Sequence, residues 1–499
     1  MKYELVLVKW ITLGLMALTV QFELNAQIQK GDDIYGEEMF ERTPSDISMP
    51  DGNTIAVGSA QYDGEVQDIG RVRIFEFDGS DWIQKGLDIL GEASNDYFGA
   101  SVCMPDVNTV GVGAVYNDAA GTNAGHARIF IWDGEEWVQK GTDLDGEAEQ
   151  DYFGFALSMP DTNTVAIGGY LNDGSAPSSG HVRIYDWNGT TWAQRGGDID
   201  GEEATDYLGW SVSMPDANTV GIGAPFNSTN GSGSGKVQVY EWTGTEWSQL
   251  GNSLFGDAED DKFGSSIAMP DVNTIAVGAF GFDNGQDNSA NFGLARVFSW
   301  DGTSWSQKGL DIVGEEEADR AGGKVYMPDD NTLAVGATGH SGEFIDEGQV
   351  RVFSWTGSEW TVIADIIGEN DADLSGSRIA MGDANTVAIG AETNDEEAPD
   401  AGHVRVYDLS SLGVIDNSFE TDINIFPNPT IGPLDIDLGK IYENISVSIQ
   451  DVQGKNVLEI NRASGKVISL NIQDLNPGIY LLTVQEKKGK KALMRVLKY

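Results

Sequence analysis

Short runs of alternating apolar and small or polar residues recur along almost the whole chain, and none has the spacing of an amphipathic helix. The run Tyr152-Phe153-Gly154-Phe155-Ala156-Leu157-Ser158-Met159 predicts a strand. Pro160-Asp161-Thr162-Asn163 predicts a turn, because proline fixes φ and asparagine tolerates the left-handed region. Thr164-Val165-Ala166-Ile167-Gly168 alternates β-branched residues as a second strand. After a polar loop, His181 to Trp187 reads as a third strand, Asn188-Gly189 as a hairpin turn, and Trp192 to Arg195 as a fourth. Four antiparallel strands with no helical period make one blade of a β-propeller.

The same unit recurs. Met-Pro-Asp starts at Met49, Met104, Met159, Met214, Met269 and Met327, with Met-Gly-Asp at Met381, in steps of 55, 55, 55, 55, 58 and 54 residues. Such a period marks a propeller or a solenoid. Trp82, Trp137, Trp192, Trp247, Trp305 and Trp360 each open a fourth strand, six for seven units. The missing one is at the other end, where Ile28-Gln29-Lys30-Gly31 matches Ile83-Gln84-Lys85-Gly86. The N-terminal strand therefore completes the last blade, and a ring closed this way leaves no exposed edge unit, unlike a capped solenoid. The expectation is an all-β chain, a seven-bladed propeller over 27–412 with four antiparallel strands per blade.

The units resemble the FG-GAP repeats of integrin α-subunit propellers. Phe98-Gly99, Phe153-Gly154, Phe263-Gly264 and the variant Leu208-Gly209 supply the first half of the motif, and Gly223-Ala224-Pro225 the second. Gly-Ala alone remains at Gly113, Gly278, Gly336 and Gly390. The resemblance implies calcium loops of the form Asp-x-Asn-x-Asp-Gly-x-x-Asp between the two halves. Here the matching stretch is Asp271-Val272-Asn273-Thr274-Ile275, and the second half of the loop is missing from every unit. Too few oxygen ligands remain for calcium's usual six to eight, so these residues read as turn formers. Asp283 and Asp287, in the long loop of the fifth unit, are the remaining weak calcium candidates. No other cofactor is implied.

Charge divides the chain. Residues 27–415 hold 67 Asp/Glu against 18 Lys/Arg, whereas 416–499 hold 10 of each. An acidic body repels phosphate backbones and anionic lipid, which argues against nucleic acid as a partner, and the acid keeps a large extracellular body soluble. The single cysteine, Cys103, rules out an intramolecular disulfide. Lys2 and Lys9 precede an apolar stretch from Trp10 to Phe22 that is shorter than the ~20 residues of a membrane span. It reads as a signal peptide over 1–26, cut between Ala26 and Gln27, leaving no transmembrane segment in the mature chain.

Candidate chemistry is sparse. An acidic element recurs at the inter-blade connection, as in Gly91-Glu92 with Asp96 and Gly146-Glu147 with Asp151. Arg73, Arg128, Arg183, Arg296, Arg351 and Arg405 recur on the third strand, and Asp–Arg pairs between blades are the expected arrangement. His126, His181 and His403 share one repeat position, and His340 stands alone in a loop. Catalytic residues should be singular, whereas these are copies, and no nucleophile–base–orienter set or zinc spacing emerges. The loops joining second to third strands vary most between units, for example 171–174 and 283–288, and should gather on one rim of the ring.

From residue 424 to 499 the register changes, after a linker at 413–423. Pro427-Asn428-Pro429, Asp451-Val452-Gln453-Gly454-Lys455, Gly478-Ile479-Tyr480 and a basic C-terminus punctuate short alternating strands. The residues alone predict a small Ig-like β-sandwich. Together these motifs resemble the C-terminal sorting domain, type A, of the type IX secretion system. The resemblance implies a Gram-negative host, the secretion machinery as a partner, and passage through the periplasm to the surface or the medium. Two function classes follow. One is a non-enzymatic, monomeric binding or adhesion propeller for a glycan or extracellular protein. The other is a secreted polysaccharide-active enzyme with its site on the rim or in the central channel.

Overall fold

A computed structural model describes residues 28–283, 290–409, 416–417, 423–426, 430, 432–451, 455–473, 475–476, 478–486 and 490–498. The body consists of seven antiparallel sheets, one per sequence unit, and the described residues contain no helix. In the third unit the strands are Phe153–Asp161, Thr164–Gly169, His181–Trp187 and Trp192–Gln194, paired in chain order. Asparagine–glycine brings Trp187 opposite Trp192, with ring centroids 5.4 Å apart. The innermost strands pack side by side around the ring, and Arg378–Asp383 of the last sheet packs on Asp46–Asp51 of the first.

Ring closure follows the sequence expectation. Ile28 and Gln29 pair with Asp408 and Tyr407, so the N-terminus forms the outer strand of the seventh sheet. A feature not read from the sequence is a further two-residue strand beyond the fourth, such as Ile199–Asp200 opposite Val182 and His181. The chain breaks at Gly196, whose φ of +79° places it in the left-handed region, and then resumes the same edge. A Cβ there would lie 2.7 Å from Trp242 of the next blade, so the glycine also seats that tryptophan.

The repeat positions explain themselves through packing. Met104, Phe98, Val110 and Val112 of the second unit bury against Val72 and Ile74 of the first, making one apolar core between each pair of blades. The fourth-strand tryptophans latch neighbours. Trp137 Nε1 donates to Lys85 O at 2.9 Å and Trp192 Nε1 to Lys140 O at 2.7 Å. Trp82 Nε1 donates to Lys30 O at 2.6 Å, so the joint closing the ring has the same form as an ordinary joint.

In the tail, six strands between Asp416 and Lys498 form one continuously hydrogen-bonded sheet rather than two separate ones. Residues 433–437 pair with 467–471 and 435–437 also with 424–426, whereas 445–451 pair with 480–486 and 447–450 also with 456–460. The long strand Pro433–Asp451 thus passes from one neighbour set to another through register shifts, and the bent sheet wraps Leu434, Ile436, Val447, Leu482, Val484 and Val496. Asp416–Asn417, within the expected linker, pair with Leu493 and Ala492 as the edge of this sheet.

Candidate functional site

The residue preceding each Phe-Gly position occupies the same backbone state in all seven blades. Arg42, Tyr97, Tyr152, Tyr207, Lys262, Arg320 and Leu374 have φ between +50° and +58°. Left-handed backbone is costly for residues with a Cβ, about 1–2 kcal/mol, so the tertiary structure imposes it. The turn is held from the preceding blade, as where Tyr152 N donates to Asn123 O at 3.2 Å. Around it, the starts of the first strands and the ends of the second strands surround a cavity of about 600 Å³. This is the end of the ring from which the second-to-third-strand loops depart.

The cavity is chemically lopsided. Blades two to five contribute Tyr97, Tyr116, Phe155, Trp210 and Phe280, all half-buried. Tyr97 meets Tyr116 at 4.8 Å between centroids, Tyr116 meets Tyr152 at 5.2 Å, and Tyr152 meets Tyr170 at 5.7 Å. Phe155 lies 4.5 Å from Tyr170 and 4.9 Å from Trp210, and Phe226 lies 5.6 Å from Trp210. Tilted and edge-to-face contacts of this kind lock each ring through its neighbours. Burial raises the phenol of Tyr170 to about 12 and also raises those of Tyr97 and Tyr116, so these hydroxyls are neutral at physiological pH.

Blades one, six and seven supply the charged side. Lys324 Nζ lies 3.6 Å from Asp46, whose carboxylate accepts Val102 N at 3.0 Å. Arg378 Nη2 lies 4.0 Å from Glu392, and its Nη1 donates to Ser377 O at 2.8 Å. Arg42 is exposed at the edge. Both carboxylates of the cavity are therefore paired with a cation. A concave wall of aromatic rings facing a few fixed polar groups is the form of a small-ligand or chain-end site.

The residues singled out in the sequence fall elsewhere. The inter-blade arginines do bridge blades, with the expected Asp–Arg pair at Arg296–Asp257, 2.5 Å, and glutamate in place of aspartate elsewhere. The partner is the acid at the start of the element, as in Arg128–Glu92 at 3.1 Å, Arg351–Glu315 at 3.3 Å and Arg405–Glu369 at 2.6 Å. The later aspartate caps its own turn instead. Asp151 accepts the N–H groups of Glu147 and Ala148 at 3.0 and 2.9 Å, and Asp96 accepts Asn117 Nδ2 at 2.9 Å. Asp319 does the same with His340 in place of the asparagine, at 3.3 Å. Asp283 accepts Asn291 N at 2.8 Å and so closes its own loop, while Asp287 lies outside the described residues. Ala26, Gln27, Pro427, Asn428, Pro429 and Gly454 also lie outside them. Lys455 is exposed, Gly478 opens a strand, and buried Tyr480 donates to Asn476 O at 2.8 Å.

The sequence reading missed the aromatic wall. Its signal was there: Tyr97, Tyr152 and Tyr207 stand before the Phe-Gly position, and Phe155 and Trp210 two residues after its first residue.

Residues 424–497 match the model of the secretion system C-terminal sorting domain, and residues 200–240 match that of the FG-GAP repeat. The β-propeller thus contains an FG-GAP repeat at 200–240, and a secretion sorting domain follows it at 424–497. This propeller is exported by the type IX secretion system to the cell surface or the medium, and its tail interacts with that machinery. No match to the chain was found among curated proteins. Among solved structures, it is similar to a chain of the mitotic checkpoint complex, with 12% identity and a TM-score of 0.47, covering 81% of this chain and 99% of that one. A putative 6-phosphogluconolactonase from Bacteroides uniformis matches at 11% identity and a TM-score of 0.44, over 65% and 86% of the two chains. The propeller domain of the trilobed protease from Pyrococcus furiosus matches at 10% and 0.41, over 76% and 94%. Likeness at this level bears on neither activity nor ligand.

Proposed function

We propose that the exported propeller is a non-enzymatic binding protein that takes a glycan at the mouth of its central channel. The observation that carries this reading is the joined wall of aromatic rings on one side of the 600 Å³ cavity, facing Lys324, Arg378 and Asp46 on the other. The C–H faces of a sugar ring stack on the negative face of an aromatic ring, and its hydroxyls need donors and acceptors at the side. Both requirements are met within one concavity. The cavity's aromatic side chains come from blades two to five, while the other blades place non-aromatic residues at the same repeat positions, as a ligand-specific feature would. The two carboxylates present, Asp46 and Glu392, are ion-paired, which suits orienting hydroxyls better than proton transfer. Screening the purified chain against immobilised glycans and extracellular matrix proteins tests the reading. Glycan capture lost in Trp210→Ala supports it, and capture of matrix protein alone, unaffected by that change, refutes it.

A further inference from the structure

The first residue of the third strand lies in an acid-lined pocket between blades, and its identity varies in an orderly way. Arg71 fills the pocket in the first blade, with Glu41, Glu37 and Asp88 at 2.7, 2.9 and 3.1 Å. Lys236 fills it in the fourth, with Glu202 at 3.0 Å and Asp206 at 3.5 Å. In these two blades the pocket holds a positive charge, whereas the fifth and sixth blades carry Leu294 and Gln349 at this position. The second, third and seventh blades carry His126, His181 and His403 at the same position.

His126 is fully buried, and neither of its ring nitrogens has a hydrogen-bond partner. A buried polar atom is costly to leave unmet, and no described residue supplies a hydrogen bond to either nitrogen. Glu92, His126 and Asp143 each place one donor atom within 4.8 Å of the other two. Asp145 stands 3.9 Å from Nδ1. Arg128 takes one oxygen of Glu92 at 3.1 Å and Gln139 takes one oxygen of Asp143 at 2.7 Å. The second oxygen of each accepts no hydrogen bond among the described residues. The related pockets differ here. Arg183 donates twice to Asp198 at 3.1 Å, and Arg405 donates to Asp33 at 2.8 Å, so a guanidinium already occupies those carboxylates.

We propose that the pocket of the second blade is a divalent transition-metal site of the zinc class, ligated by Glu92, His126 and Asp143. An imidazole with two carboxylates suits zinc and its neighbours, whereas calcium and magnesium take oxygen alone. Ligand bonds of about 2.0–2.2 Å require the three donors to close to roughly 3.4 Å of one another. Glu92, whose side chain is 48% exposed, has room to make most of that movement. The ion would do for this blade what Lys236 does for the fourth, tying the connection to the third strand.

Zinc titration of the chelator-stripped full chain, by calorimetry and by thermal melting, tests the proposal. One equivalent of Zn²⁺ should bind and raise the melting temperature, while Ca²⁺ at the same concentration should not. His126→Lys installs the tethered cation of the fourth blade; it should lose the binding heat and the zinc-dependent shift while melting no lower than stripped wild type. His181→Gln should keep one equivalent. Absence of binding by wild type, undiminished binding by His126→Lys, or an equal response to Ca²⁺ overturns the site. Should His126→Lys not fold, the double variant Glu92→Gln/Asp143→Asn gives the same reading: at least tenfold weaker zinc binding supports the site, and unchanged binding overturns it.

Discussion

Replacing Trp82 by alanine probes the joint that closes the ring. Its indole is 7% exposed, packs against Phe77 at 5.4 Å between centroids, and donates to Lys30 O at 2.6 Å. Truncating a buried tryptophan costs about 3–5 kcal/mol. For a body of about 380 residues the unfolding entropy is roughly 0.8 kcal/mol per kelvin, so a ring that melts as one unit should lose about 4–6 °C. Trp192→Ala, at an ordinary joint, removes an equivalent latch to Lys140 and should cost the same. The two variants should differ in one respect. The strand released by Trp82→Ala is the N-terminal one, tied to the ring only through the seventh sheet and this joint, so Ile28 to Lys30 should become open to protease and the edge of the seventh sheet should drive aggregation. Differential scanning calorimetry with timed proteolysis reads both effects. A fall of less than 1 °C, or N-terminal protection equal to that of Trp192→Ala, would refute closure through this strand.

Two further outcomes follow from the fold. His340 is raised above its usual value by its hydrogen bond to Asp319, against the lowering effect of burial. Burial alone would raise Asp319, but the bonds from His340 and from the N–H groups of Glu316 and Glu315 hold it below the usual range. The histidine's contribution is therefore full below about pH 6.5 and fades as pH rises through the raised folded value. Melting curves from pH 5 to 8 should show wild type losing this advantage over His340→Gln as pH rises, and parallel curves would contradict the pairing. Deleting 424–499 should leave the melting of the body unchanged and hold it in the periplasm, since the tail has its own core; normal export of the shortened chain would count against the sorting role.

The elements legible in the sequence were those that repeat. Met-Pro-Asp, the Trp-x-Gln strands and the displaced Ile28-Gln29-Lys30 were visible because each blade must present the same surfaces to its neighbours, and the sheets, their order and the closure matched. Short breaks were not legible: the strand at Ile199–Asp200 is too brief to show a period and is placed only by its partners Val182 and His181. The acid–arginine bridges were half read. Recurrence showed that Glu92, Asp96 and Arg128 belong together, but which acid reaches the guanidinium depends on a turn that folds Asp96 back on Ala93 N. The aromatic wall was missed for a similar reason. Tyr97, Phe155 and Trp210 lie far apart in sequence, Phe155 and Trp210 share a repeat position that other blades fill with alanine, serine or glycine, and only the ring brings the three to one cavity.

The central claim, that the channel mouth binds without chemistry, is tested most directly by titrating a glycan captured in the screen into wild type and Trp210→Ala. Loss of the stacking face should weaken binding at least tenfold, about 1.4 kcal/mol or more, with one cooperative melting transition retained and no new reducing ends from the bound glycan. Equal affinity in the two proteins, or cleavage of the glycan that stops on Asp46→Asn or Glu392→Gln, would contradict it.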